Sequence, residues 1–186
     1  FSVVVSYLVI KKKNLLTPAI DYLAMLPLAI SGTVLGIGLV ITFNTGFLAM
    51  TGTASIIVAA YVIRRMPFGV RNASSTLYNI PSSIEEASIS LGVPPVATFF
   101  KVVLPVMAPA IAAAAVITWT TTVAELSASV VVYSAGLETA PIQIFRLIDT
   151  GLAGRASAYG LALVVMIIAP IVVATKFLKI DLFQSR

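Results

Sequence analysis

Long apolar runs, broken by short clusters of lysine and arginine, leave this chain few ways to fold. About 20 apolar residues are what a helix needs to cross the hydrocarbon core of a bilayer. Only 10% of the 186 residues are charged, too few to coat a water-soluble globule. Every backbone group in lipid must find its partner within the protein, which favours helices that satisfy themselves. The expected fold class is therefore all-α, a polytopic membrane helical bundle. Phe1 to Ile10 is apolar, begins without Met or a charged segment, and is too short to span. It is expected to be the tail of a span in an N-terminally truncated chain, not a signal peptide.

Apolarity and turn residues place four full spans, at residues 22–43, 47–65, 108–132 and 156–175. Residues 66–105 form the least apolar stretch and are expected to be a cytoplasmic loop of short helices. Residues 133–155 are expected to be an external loop. Lys11-Lys12-Lys13 sets the orientation, because cytoplasmic loops hold the excess of lysine and arginine. With that cluster inside, Lys11, Lys12, Lys13, Arg64, Arg65, Arg71, Lys101, Lys176, Lys179 and Arg186 all fall inside. Only Arg146 and Arg155 of the 12 basic residues then fall outside.

Several chemistries find no support. The chain has no Cys and no His, so thiolate and imidazole metal sites and the common nucleophile–base pairs are missing. Its net charge of +5 sits in topology clusters, without the basic, aromatic-laced patch expected of a nucleic-acid binder. Gly36-Ile37-Gly38 lies in an apolar run and lacks the third glycine of a dinucleotide loop. No Gly-Lys-Ser/Thr phosphate loop occurs.

The informative segment runs from Ser82 to Pro105. Ser82 or Ser83 can cap a short helix with Glu85 and Glu86 in its first turn, where the helix dipole favours anions. Gly92 is suited to end that helix. Pro94-Pro95 stops continuation and allows a second helix to start, and Leu104-Pro105 is expected to end the second and turn the chain back to the membrane. Glu86-Ala87-Ser88, three residues, Gly92, nine residues, then Val102-Val103-Leu104-Pro105 is the spacing of a family hallmark. The chain resembles the permease subunits of binding-protein-dependent ABC importers, whose pattern is Glu-Ala-Ala, three residues, Gly, nine residues, Ile-x-Leu-Pro. Ser88 replaces the second Ala, and Val102 replaces Ile. Leu26 to Gly36 and Glu125 to Ser129 resemble the iron(III)-type branch, in which Pro often stands where this chain has Ser31.

The resemblance implies a transport subunit, not an enzyme. Its loop would couple to an ABC ATPase dimer through Glu85, Glu86, Ala87, Ser88, Gly92, Leu104 and Pro105. ATP and Mg would be bound by that partner, and no cofactor is expected in this chain. Further implied partners are an extracytoplasmic solute-binding protein, the lipid bilayer and a second permease half, either another copy, a paralogue or an N-terminal half of the same polypeptide. The implied location is the bacterial inner membrane, and the solute is iron(III), 2-aminoethylphosphonate, thiamine or a polyamine.

Glu125, placed near the middle of the third expected span, is either a path-lining group or a buried structural partner. Thr121, Thr122 and Ser129 are candidates for the same path. Arg146 and Asp149, on a short amphipathic segment, could dock the solute-binding protein or simply lie at the membrane interface. Gly32, Gly36 and Gly38 suit close helix approach. The rival class is a secondary transporter driven by an ion gradient, which would show paired acidic sites and inverted repeats.

Overall fold

The computed structural model describes residues 1–11 and 17–176. Lys12 and Lys13 of the basic cluster, and Lys179 and Arg186 near the end, lie outside the described residues. Every regular element among the described residues is helical. In chain order these are α1 (Ser2–Lys11), α2 (Thr17–Ala29), α3 (Gly32–Thr42), α4 (Ala54–Tyr78), α5 (Ser82–Ser90), α6 (Pro95–Thr98), a π-helical turn (Phe99–Val103), α7 (Leu104–Val123), α8 (Ser129–Val132), α9 (Ala140–Asp149) and α10 (Ala153–Lys176).

Among the described residues two helices are long and apolar enough to cross a membrane: the continuous run Pro95–Val123 and α10. The pair α2 and α3 meets the same standard only when taken together, and its halves meet at 107°. The apolar run at residues 22–43 is thus a broken element. Ser31 is extended, and its hydroxyl accepts from the Val34 N–H at 3.3 Å, capping a new helix where the old one stops.

Three further boundaries differ from those expected from sequence. The arginine pair does not close a helix at residue 65, because α4 continues to Tyr78. Its buried residues Val70, Ala73 and Leu77 keep a helical repeat, and the arginines find partners in the protein. Leu104-Pro105 does not end a helix either. Proline lacks the N–H and crowds the carbonyl four residues back. The π turn widens the helix there, with Leu104 N–H donating to Phe99 O, so the run continues to Val123. The run at residues 108–132 stops at Val123, so Glu125 sits in a non-helical break before α8.

α4 is the axis, packed by α1, α2, α3, α7 and α8. It passes through two apolar cores. One joins Leu39, Ile56, Ile57, Ala60, Ala128 and Val132. The other joins Ala73, Leu77, Ile80, Phe99, Val103 and Met107 at the α5 end. Arg64 and Arg65 lie between them in sequence. On α10, Leu161, Val165, Ile168 and Val173 face outward, an apolar exterior suited to lipid or a partner subunit.

α3 reaches the α8 region through two glycines. A Cβ on Gly32 would lie 2.7 Å from Ser127 Oγ and 3.0 Å from the Ala128 nitrogen. One on Gly36 would lie 3.0 Å from Val131 Cβ, whereas Gly38 has open space. Gly36→Val should therefore lower the unfolding stability of the detergent-solubilised protein by about 1–3 kcal/mol through overpacking. Gly38→Ala should leave it unchanged or raise it by up to about 1 kcal/mol. Equal midpoints for both variants would show that the close approach is not enforced.

Candidate functional site

The loop from Pro81 to Pro95 is built as a rigid corner. Pro81, not Ser82 or Ser83, is the N-cap of α5, and no side chain caps it. Glu85 lies in the first turn as expected, whereas Glu86, expected there too, falls beyond it. Gly92 takes φ +85°, a left-handed conformation that glycine adopts without the penalty a Cβ brings. The Gly92 N–H donates to Ile89 O and the Val93 N–H reaches back to Ser88 O, which together close the last turn. The Ser88 and Thr98 hydroxyls meet at 3.0 Å, both buried, and lock α5 onto the second helix.

The two neighbouring glutamates have different surroundings. Glu85 is buried. Lys11 Nζ lies 2.9 Å from its Oε1 as an ion pair whose angles fall short of a hydrogen bond. The Tyr7 hydroxyl donates to Oε2 at 3.1 Å, and the Tyr7 ring packs on Phe99 with centroids 4.7 Å apart. α1 therefore holds α5 from behind. Glu86, Ala87 and Ser90 are exposed, together with Ile84, Ile89 and Leu91. Leu104 is partly buried and Pro105 exposed at the start of α7.

A second polar cluster forms where two helix breaks meet α4. Glu125 Oε2 accepts from Arg64 Nε at 2.9 Å and from Arg65 Nη2 at 2.8 Å. Its Oε1 accepts from Ser127 Oγ at 2.6 Å and, weakly, from the Ala128 N–H at 3.4 Å. Arg65 Nη2 also donates to Thr121 O at 2.6 Å, so the end of α7 is pinned to α4. Sequence reasoning misses this pairing, because two arginines after an apolar run look like the mark of a membrane boundary.

Ser129 is fully buried, with its hydroxyl on Glu125 O and against the Tyr61 hydroxyl. The Thr121 and Thr122 hydroxyls bond back to Thr118 O in their own helix. Arg146 is exposed and pairs with Glu138 at 2.7 Å in its own loop. Asp149 is exposed near Phe145 and Ile148, on α9, which packs on α10. The loop residues, the arginine–glutamate cluster and α9 thus form three separate places, not one site.

Residues 2–180 match the family model described as "Binding-protein-dependent transport system inner membrane component". The chain is 32% identical over 169 residues to the ferric transport system permease protein of Actinobacillus pleuropneumoniae, covering 91% of this chain and 25% of that protein. It is 33% identical over 139 residues to a candidate 2-aminoethylphosphonate transport system permease of Salmonella paratyphi A, covering 75% of this chain and 52% of that protein. It is also 29% identical over 136 residues to the molybdate/tungstate transport system permease protein of Pyrococcus abyssi, covering 71% and 52%. The chain thus spans about a quarter to a half of the length of these relatives. With the helical architecture in place, the match over nearly the whole chain assigns this protein to the inner-membrane permease components of binding-protein-dependent ABC transporters.

Proposed function

We propose that this chain forms part of the solute path of an ATP-driven bacterial importer and couples it to a separate ATPase through α5. The observation that carries this is the corner at Ser82–Gly92. Glu85 is clamped from behind by Lys11 and Tyr7, while Glu86, Ala87, Ser90 and Leu91 are offered outward. A short helix bonded to its neighbours on one side and bare on the other can transmit a push from a partner. The small side chains of Ala87 and Ser90 allow that partner to approach closely. In this arrangement the α5 end faces the cytoplasm, as positive-inside placement requires, and α9 faces outward. There Arg146 and Asp149 would meet a solute-binding protein. A second permease half is needed to enclose the path, since the two spanning helices and one bent pair among the described residues do not surround a channel. Iron(III) is the first solute to test, because the ferric relative matches 91% of the chain. 2-Aminoethylphosphonate is the second.

The chain has no cysteine, so Ser90→Cys in the full-length protein gives a single reactive handle on an exposed position. In native membranes it is expected to cross-link to a nucleotide-binding ATPase, with a yield that changes when ATP is added. Efficient labelling of the introduced thiol without capture of an ATPase would refute the coupling role and turn attention to a gradient-driven transporter.

A further inference from the structure

Arg64 and Arg65 bring two guanidinium groups to one carboxylate. Both contacts fall on the same oxygen of Glu125, and its other oxygen is taken by Ser127 and the Ala128 N–H. Arg64 makes its bond through Nε alone, and its terminal nitrogens have no hydrogen-bond partner among the described residues. Asp21 of α2, which is not among the residues lining the space beside Arg64, is paired with Arg71. One positive charge is therefore left over, and it is mostly withdrawn from solvent: the Arg64 and Arg65 side chains are 24% and 15% accessible.

That surplus faces a cavity of about 410 Å³. Residues 27–31, the bend between α2 and α3, form one wall, and Arg64, Arg65 and Phe68 form the other. No carboxylate is among its lining residues. The volume is that of a small-molecule site, and a guanidinium with free terminal N–H groups matches an oxyanion in both charge and geometry. An unneutralised guanidinium inside a membrane protein is costly, so a counter-charge is expected to occupy the space it faces. A carboxylate from a second permease half would also neutralise it. One carboxylate side chain, however, would fill little of this half-open pocket, which leaves room for a small solute beside Arg64.

Taking the permease role above as given, and favouring its second solute, a phosphonate, over iron(III), we propose that this cavity is a transit site for a small oxyanion, bound by the terminal nitrogens of Arg64 with Arg65 as the second charge. Glu125 keeps both guanidiniums oriented when the site is empty. The bend beside it supplies a wall that moves if α2 and α3 change their angle.

The test uses the full-length permease assembled with its partners in nanodiscs, titrated with molybdate, then inorganic phosphate, with choline as a cationic control. Saturable oxyanion binding that weakens with added salt is expected, and none for choline. Arg64→Gln should weaken it at least tenfold. Leu28→Trp, which fills the cavity from the opposite wall and removes no charge, should do the same, so a folding defect at Arg64 would not decide the matter. Absence of saturable oxyanion binding, or binding that both variants leave unchanged, would overturn the site. So would a flat titration combined with loss of pairing between permease halves in Arg64→Gln, which would assign the cavity to a partner's carboxylate. The Ser90→Cys cross-link on the same preparation separates the two ideas. If capture of the ATPase persists while binding fails, only the oxyanion site falls; if capture is lost as well, the coupling role of α5 falls with it.

Discussion

Glu125→Ala is expected to lower the unfolding stability of the full-length protein by about 3–5 kcal/mol, the usual consequence of leaving buried charge without its partner. Three connections fail together. The Glu125 carboxylate is 6% accessible and joins Arg64 and Arg65 of α4 to the break between α7 and α8. Its second oxygen orders Ser127 and the Ala128 N–H, and Ala128 belongs to the apolar core built from α3, α4 and α8. Removing it leaves two guanidiniums facing each other in a partly enclosed place. Glu125→Gln keeps an acceptor but not the charge, so a smaller loss is expected. The pair Arg64→Gln with Glu125→Gln should lose less than the sum of its parts, because one surplus charge leaves with the other. Thermal or denaturant unfolding in detergent, read as a double-mutant cycle, measures the coupling. A Glu125→Ala variant within about 1 kcal/mol of the parent would show that the cluster is not what holds the breaks together.

What could be read ahead of the structure divides along physical lines. Local signals survived. The spacing from Glu86 to Gly92 and on to Pro95 describes a helix, a left-handed stop and a new helix, and each is present at those residues. These depend on backbone preferences within a few residues, which a sequence displays directly. The apolar run of α10 was legible for the same reason, with ends at Ala153 and Lys176 close to the expected 156 and 175. Signals that depend on a distant partner mislead. Arg64 and Arg65 look like a membrane boundary when their neighbours alone are considered. They continue a helix because Glu125, about 60 residues away, meets them. Pro105 looks like a stop until the π turn before it relieves the crowding. The roles of Glu85 and Glu86 were also indistinguishable in the sequence, because only the packing of α1 buries one and leaves the other exposed.

That difference gives the loop a separable prediction. Ala87→Trp should leave unfolding stability within about 0.5 kcal/mol of the parent, since Ala87 is exposed and a surface substitution disturbs little. ATP-driven solute uptake and the cross-link formed by Ser90→Cys should nevertheless both fall at least tenfold, because an indole on the outward face would hold the ATPase away. Glu85→Ala should do the reverse in kind. It strips the acceptor from Tyr7 and the counter-ion from Lys11 at a buried position, for a stability loss of about 1–3 kcal/mol. Uptake should decline only as far as α5 loosens from α1. Glu86→Ala, exposed like Ala87, should leave stability unchanged and reduce uptake. Measured side by side, the unfolding midpoint should single out Glu85→Ala, whereas uptake should fall furthest in Ala87→Trp. If Ala87→Trp transported at the parental rate, the exposed face of α5 would not be the contact. If it unfolded the protein, Ala87 would have a partner inside this chain, and the coupling role would have to pass to another part of the loop.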